Sequence, residues 1–152
     1  MKKYECLFIG NAIVDVVANV SFEFLKDQNI EVGSWRPTTL DEISQLQNKM
    51  ENILVASGGS AANSAVGFSL LGGKSSFIGR VKADEFGELY VKDLQDANVD
   101  FVSSAVSDGD ETGRCLVYVT PDAQRSMRTY LGAASNLSPN EIAVRAAKPI
   151  MM

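Results

Sequence analysis

The residues best suited to chemistry in this 152-residue chain are Asn11, Asp15, Gly58, Gly59 and Asn63. The last three lie in Ser57-Gly58-Gly59-Ser60-Ala61-Ala62-Asn63-Ser64-Ala65, between a short apolar segment, Ile53-Leu54-Val55-Ala56, and a longer apolar run over residues 66–71. That pattern predicts a strand, a turn and a helix, with the paired glycines at the helix N-terminus. Glycine there permits backbone angles closed to other residues and lets a ligand approach the main chain. The first helical amides have no partner within the helix and lie at the positive end of its dipole. Asn63, about one turn in, carries an amide that both donates and accepts. A polyhydroxylated ligand suits such a site, because each hydroxyl needs a donor and an acceptor nearby. The same stretch also reads as a packing turn of any α/β protein with Asn63 solvated, and short motifs do not separate the two.

Asp15 interrupts a valine-rich extended run over residues 12–20. A carboxylate in such a run is costly to bury without partners. Either it faces water on a half-exposed strand, or it joins Asn11 in a pocket just past the end of the first strand, where open α/β sheets bind ligands.

The chain contains no histidine, which removes Ser-His-Asp and Cys-His arrangements and most zinc or iron sites. Carboxylates, amides, hydroxyls, cations or a nucleotide–magnesium complex must carry any chemistry. A net charge of −5 without a basic cluster argues against nucleic-acid binding. No apolar run approaches a membrane span, and Met1-Lys2-Lys3-Tyr4-Glu5 lacks the features of a signal peptide. Cys6 and Cys115 lie in strand-like segments and read as buried thiols, so a cytoplasmic location is expected.

These residues need elements to position them. Tyr4-Glu5-Cys6-Leu7-Phe8-Ile9-Gly10 reads as a first strand, apolar on both faces and therefore central in a sheet, with Gly10-Asn11 breaking it. Ile30-Glu31-Val32-Gly33 is a further candidate strand, and Thr39-Leu40-Asp41-Glu42 opens a capped helix with Leu40, Ile43, Leu46 and Met50 on one face. Gly72-Gly73-Lys74-Ser75 is a helix stop, not a P-loop: Phe68 stands where the P-loop needs glycine, and the segment leads from helix to strand. A strand over residues 75–80 follows. Asp84 then caps a helix whose buried face is Phe86, Leu89, Tyr90, Leu94 and Ala97. Another strand covers residues 99–102. The charges of Ser107-Asp108-Gly109-Asp110-Glu111 read as solvated. Strands over 114–119 and 126–130 flank a Pro121-Asp122 turn, and Ser138-Pro139-Asn140-Glu141 starts a last helix that Pro149 would stop. Alternating strands and helices imply a parallel sheet covered on both faces, with the extended polar-bearing segments as a separate β flap. Neither strand-to-helix turn has the dinucleotide fingerprint.

Four motifs together resemble the N-terminal half of the ribokinase-like (PfkB-type) carbohydrate and nucleoside kinases, and among them the bacterial adenosine-kinase-like members. They are Gly10-Asn11 with Asp15; Gly58-Gly59-Ser60-Ala61-Ala62-Asn63-Ser64-Ala65 with Gly72; Phe77-Ile78-Gly79-Arg80-Val81 with Asp84-Glu85-Phe86-Gly87; and Thr112-Gly113-Arg114-Cys115 with Arg125-Ser126-Met127. The resemblance implies a three-layer α/β/α fold with a mostly parallel sheet plus a β lid, of which residues 1–152 would be the N-terminal portion. Lid segments would lie near residues 12–34 and 112–131. It implies that Asp15, Gly59 and Asn63 hold sugar hydroxyls on the Gly58–Gly59 turn, with Asn11 assisting. Cys115, Met127 and Thr129 would line the base side of a nucleoside; strand packing explains Met127 and Thr129 equally.

The family's late Gly-Ala-Gly-Asp motif, whose aspartate is the catalytic base, does not occur in these residues, and Lys82 stands where the family usually has glycine. The expectation is therefore the acceptor-binding half of an ATP-dependent sugar or nucleoside kinase, inactive as this fragment, with no catalytic or metal-binding residue of its own. ATP and Mg2+ would serve the full-length protein. The alternative is a noncatalytic binding or interaction module of the same fold. A homodimer through the lid or an exposed sheet edge is expected.

Overall fold

The computed structural model describes residues 4–147; the expected stop at Pro149 and the reading of Met1-Lys2-Lys3 fall outside them. The described residues form two sheets. In the first, β1 (Cys6–Ile9), β5 (Ser75–Ile78) and β6 (Val99–Phe101) pair in parallel, in the order β1-β5-β6. The second has β2 (Ile13–Asn19), β3 (Trp35–Pro37), β4 (Leu54–Gly58), β7 (Thr112–Val119) and β8 (Arg125–Gly132) in the order β3-β8-β7-β2-β4. Helices α1 (Phe22–Asp27), α2 (Leu40–Gln47), α3 (Ser60–Leu70), α4 (Glu85–Asp96) and α5 (Pro139–Ala147) connect and cover them.

The first strand is not central. Among the described residues β1 lies at the sheet edge, and β5, with all four residues buried, takes the middle. The apolar character of β1 serves packing on α3, through contacts such as Phe8 against Phe68. The strand before the glycine pair also differs from a simple parallel unit: β4 runs antiparallel to β2. The predicted strand over residues 30–33 is a turn, with Gly33 at φ 76°, and the pairing segment comes later, at Trp35–Pro37. The β5 strand ends at Ile78 rather than Arg80.

The capped helices form as read. Thr39 Oγ accepts from the Glu42 amide, and Asp84 from the Gly87 amide at 2.8 Å. Helix α3 stops at Leu71, where Gly72 turns to φ 90° and the Gly73 amide bonds the Phe68 carbonyl. Between the sheets, Phe77, Tyr90 and Phe101 form an aromatic triangle with centroids 6.0–6.3 Å apart. Tyr90 and Phe77 belong to a core with Val14, Ala62 and Ala65. A second core, including Val16, Leu25, Ile43, Leu116 and Tyr118, fills the space between the second sheet and helices α1 and α2.

Lys82 causes no backbone strain, since it is absent from the positive-φ residues. Its amide donates to Thr112 Oγ1 at 2.9 Å and its Nζ to the Gly109 carbonyl at 3.1 Å. A lysine at this position therefore adds a tie to the loop before β7. That loop is only partly a solvated run: Glu111 pairs with Arg114, and Asp110 accepts from Asn136. Cys115 is buried, whereas Cys6 is only half-buried, and both thiols are free.

Candidate acceptor site

The alternation of β2 decides which face of the second sheet is open. Val14, Val16 and Ala18 are buried in the cores, so Ile13, Asp15 and Val17 project from the opposite face. Residues directly opposite across strands share a face. One row therefore runs Ala56, Asp15, Cys115, Thr129, Pro37 across all five strands. The next runs Leu54, Val17, Val117, Met127, Trp35, and is apolar throughout. Leu54 is 67% and Trp35 60% exposed, so the apolar row is open to solvent at both ends.

Asp15 lies over Gly58. A Cβ built on Gly58 would stand 2.5 Å from the Asp15 carboxyl carbon, so only glycine leaves room for that carboxylate. Asp15 is half-buried, and while its backbone belongs to the ladders with β4 and β7, its carboxylate makes no hydrogen bond to another described residue. Burial pushes its carboxyl above the ordinary carboxylate range, against a smaller downward pull from the Arg125 guanidinium.

Gly59 adopts φ 92°, ψ 132°, which other residues reach only with strain, and a Cβ there would meet the Asn11 carbonyl oxygen at 2.7 Å. It is the N-cap of α3 and supplies no side-chain cap. The first helical bond is Asn63 N–H to Gly59 O, 2.9 Å, which leaves the amides before it directed out of the helix end. Asn11 and Asn63 thus flank Gly59, one through its carbonyl and one through its amide, and both are exposed. The structure brings together Asn11, Asp15, Gly58, Gly59 and Asn63 at the junction of β2, β4 and α3. Cys115 and Thr129 continue the Asp15 row, and Met127 lies in the apolar row beside it.

Thr129 Oγ1 donates to Cys115 Sγ at 3.2 Å, and Trp35 Nε1 donates to Thr129 Oγ1 at 3.1 Å. Burial raises the Cys115 thiol, the Thr129 bond lowers it, and Asp15 raises it again, so Cys115 is a packed thiol and not a nucleophile. Trp35 is the residue that sequence reasoning missed. Its signal was its being the sole tryptophan, next to an exposed-looking Arg-Pro pair. Among the described residues no cluster of three or more His, Cys, Asp or Glu is placed to hold a metal ion. No helix of the described residues is long and apolar enough to cross a membrane.

The chain is also similar to known proteins. The pfkB family carbohydrate kinase profile matches residues 6–152. The adenosine kinase from Sinorhizobium meliloti superposes with a TM-score of 0.84 at 38% identity, covering 91% of this chain and 42% of that one. A probable sugar kinase from Rhizobium etli CFN 42 gives 0.86 at 34% identity, covering 95% and 44%. A probable chloroplastic fructokinase-6 from Arabidopsis thaliana is 37% identical over 82 residues, which are 54% of this chain and 21% of that protein. The chain thus spans less than half the length of these relatives. With the ribokinase-like fold and the profile match over nearly its whole length, the chain belongs to the pfkB family of carbohydrate kinases.

Proposed function

We propose that these residues are the N-terminal portion of an ATP-dependent sugar or nucleoside kinase, carrying its acceptor-binding site and lid. The observation that carries this reading is the Asp15 carboxylate, held over Gly58 without a protein donor, beside the uncapped N-terminus of α3. A ribose or hexose diol supplies the missing donors to Asp15 and takes amides from the helix end as acceptors. Gly59 keeps the main chain close enough for this, and Asn11 and Asn63 offer further amide groups.

The five-stranded sheet would be the lid. Its strands include β3 and β4 as well as the segments around residues 12–34 and 112–131. The apolar row from Leu54 to Trp35, with Cys115 and Thr129 alongside, gives the base of a nucleoside a flat surface that a free sugar would leave bare. That favours a nucleoside acceptor.

Phosphoryl transfer needs an in-line acceptor, charge neutralisation and a base. These 152 residues contain no Gly-Ala-Gly-Asp motif, and we place the base, ATP and Mg2+ on the remainder of the full-length enzyme. The chain alone should bind acceptor without turning it over.

Calorimetric titration of the chain with adenosine, ribose and fructose tests the assignment. Asp15→Ala should weaken acceptor binding about tenfold or more, the loss of about 1.5–3 kcal/mol for a bond to a charged group. Unchanged affinity in Asp15→Ala would remove the site. Acceptor-dependent ADP release by the chain itself would show that it carries its own base.

A further inference from the structure

We propose that Asp93 is a positioning residue for the acceptor site, holding the Gly58–Gly59 turn in place through the Ser57 amide. The inference rests on the acceptor-site reading above and extends it to a residue that touches no ligand.

Strand β4 is an edge strand: among the described residues it pairs with β2 alone. Alternate amides of an edge strand point away from the sheet and need a partner from elsewhere. The Ser57 amide finds one in Asp93 Oδ2, 2.8 Å away on α4. Ser57 immediately precedes Gly58, which lies under Asp15, and Gly59, which opens α3. Two glycines have no side chains with which to fix their own position, and Gly59 makes no side-chain cap. Backbone restraints must therefore hold the turn. One is the Asn63 to Gly59 bond on the helix side; on the strand side the pairing of Ser57 and Gly58 with β2 holds one edge, and the Asp93 bond holds the other.

The same helix reaches the opposite neighbour of β2. Asp84 Oδ2 accepts from the Thr112 amide at 2.9 Å, at the first residue of β7. Helix α4 is anchored by Tyr90 and Leu94, both fully buried, and its two carboxylates grip β4 and β7, the strands on either side of Asp15. Asp84 also caps the helix, so its removal would disturb α4 as a whole. Asp93 does not cap it, which makes it the informative residue.

A merely structural tie would cost stability without touching acceptor affinity, so the test reads both. Amide hydrogen exchange and calorimetric titration with adenosine are measured on the chain and on Asp93→Ala, Asp93→Asn and Asp96→Ala. Asp93→Ala should speed exchange selectively at residues 57–63 and weaken adenosine binding about tenfold, within the range of coupling between linked sites. Asp93→Asn keeps an oxygen acceptor and should restore most of both. Asp96→Ala removes only the exposed pair with Lys92 and should change neither. Adenosine affinity unchanged in Asp93→Ala, or exchange accelerated uniformly along the chain, would overturn the proposal. A wild-type chain that binds neither adenosine nor ribose would instead overturn the acceptor-site reading, and the positioning role with it.

Discussion

At the scale of single residues, the proposed acceptor role of Asp15 would set function against stability. Its carboxyl is raised by burial in the folded chain, so folding disfavours its charge. The folded state holds the proton to higher pH than the unfolded state does. Stability therefore falls as pH rises from the unfolded value through the raised folded value, and stays reduced above it. Asp15→Asn should raise the melting temperature at pH 7, and the gain should shrink to nothing once the solution is acid enough to protonate Asp15 in both states. Thermal melts at pH 7 and near the ordinary carboxylate range check this; an equal gain at both would mean that charge is not its source. The same substitution should weaken acceptor binding, because a neutral amide accepts from hydroxyls less strongly than a carboxylate. Gly58 offers the reciprocal case. A methyl group there would collide with the Asp15 carboxylate at 2.5 Å and push it off the strand face. Gly58→Ala should lower acceptor affinity about tenfold or more with far smaller change in melting temperature, which titration and thermal melts on one sample would read.

At the scale of elements, Asp84 joins helix to sheet. One carboxylate oxygen caps α4 at Gly87 and the other holds the Thr112 amide. Asp84→Ala removes a cap and leaves a part-buried amide unpaired, a loss of about 2–3 kcal/mol. Urea unfolding should show a lower midpoint with an unchanged slope; a midpoint within error of wild type would reduce the double bond to a surface detail. This cap was legible in the sequence, as were the glycine turn, α2 and the hairpin, because each is written in local residues. The second sheet was not. That β4 pairs antiparallel with β2 depends on a partner some forty residues away, and nothing in Ile53-Leu54-Val55-Ala56 encodes it. Without that register the Asp15–Cys115–Thr129 row cannot be assembled, so Asp15 could be suspected and not placed. Helix α1 escaped because six residues with one buried side chain, Leu25, give too little periodicity. Strand β3 escaped because it is three residues long and ends in proline.

At the scale of the whole molecule, we expect the outer face of the second sheet to govern association. The row Leu54, Val17, Val117, Met127, Trp35 is apolar across five strands, buried at Val117 in its middle and more than half exposed at its two ends, Leu54 and Trp35. Large apolar side chains exposed on one sheet face are the kind of surface that interaction sites use. A net charge of −5 gives only modest repulsion between two copies. The edges are less inviting: β3 is short and carries Pro37, and β4 has its Ser57 amide already taken by Asp93. Within the second sheet the face therefore stands ahead of the edges as a route to a homodimer, and the edge strands of the first sheet offer the other route. We expect light scattering coupled to size exclusion, at micromolar concentration, to show a dimer. Leu54→Lys places a charge at the exposed end of the row and should shift the chain to monomer without unfolding it, since Leu54 is outside both cores. Saturating adenosine should weaken the dimer as well, because the proposed acceptor lies on the same face. A dimer indifferent to both Leu54→Lys and adenosine would move the contact to a sheet edge, and a monomer in the wild-type chain would remove it altogether.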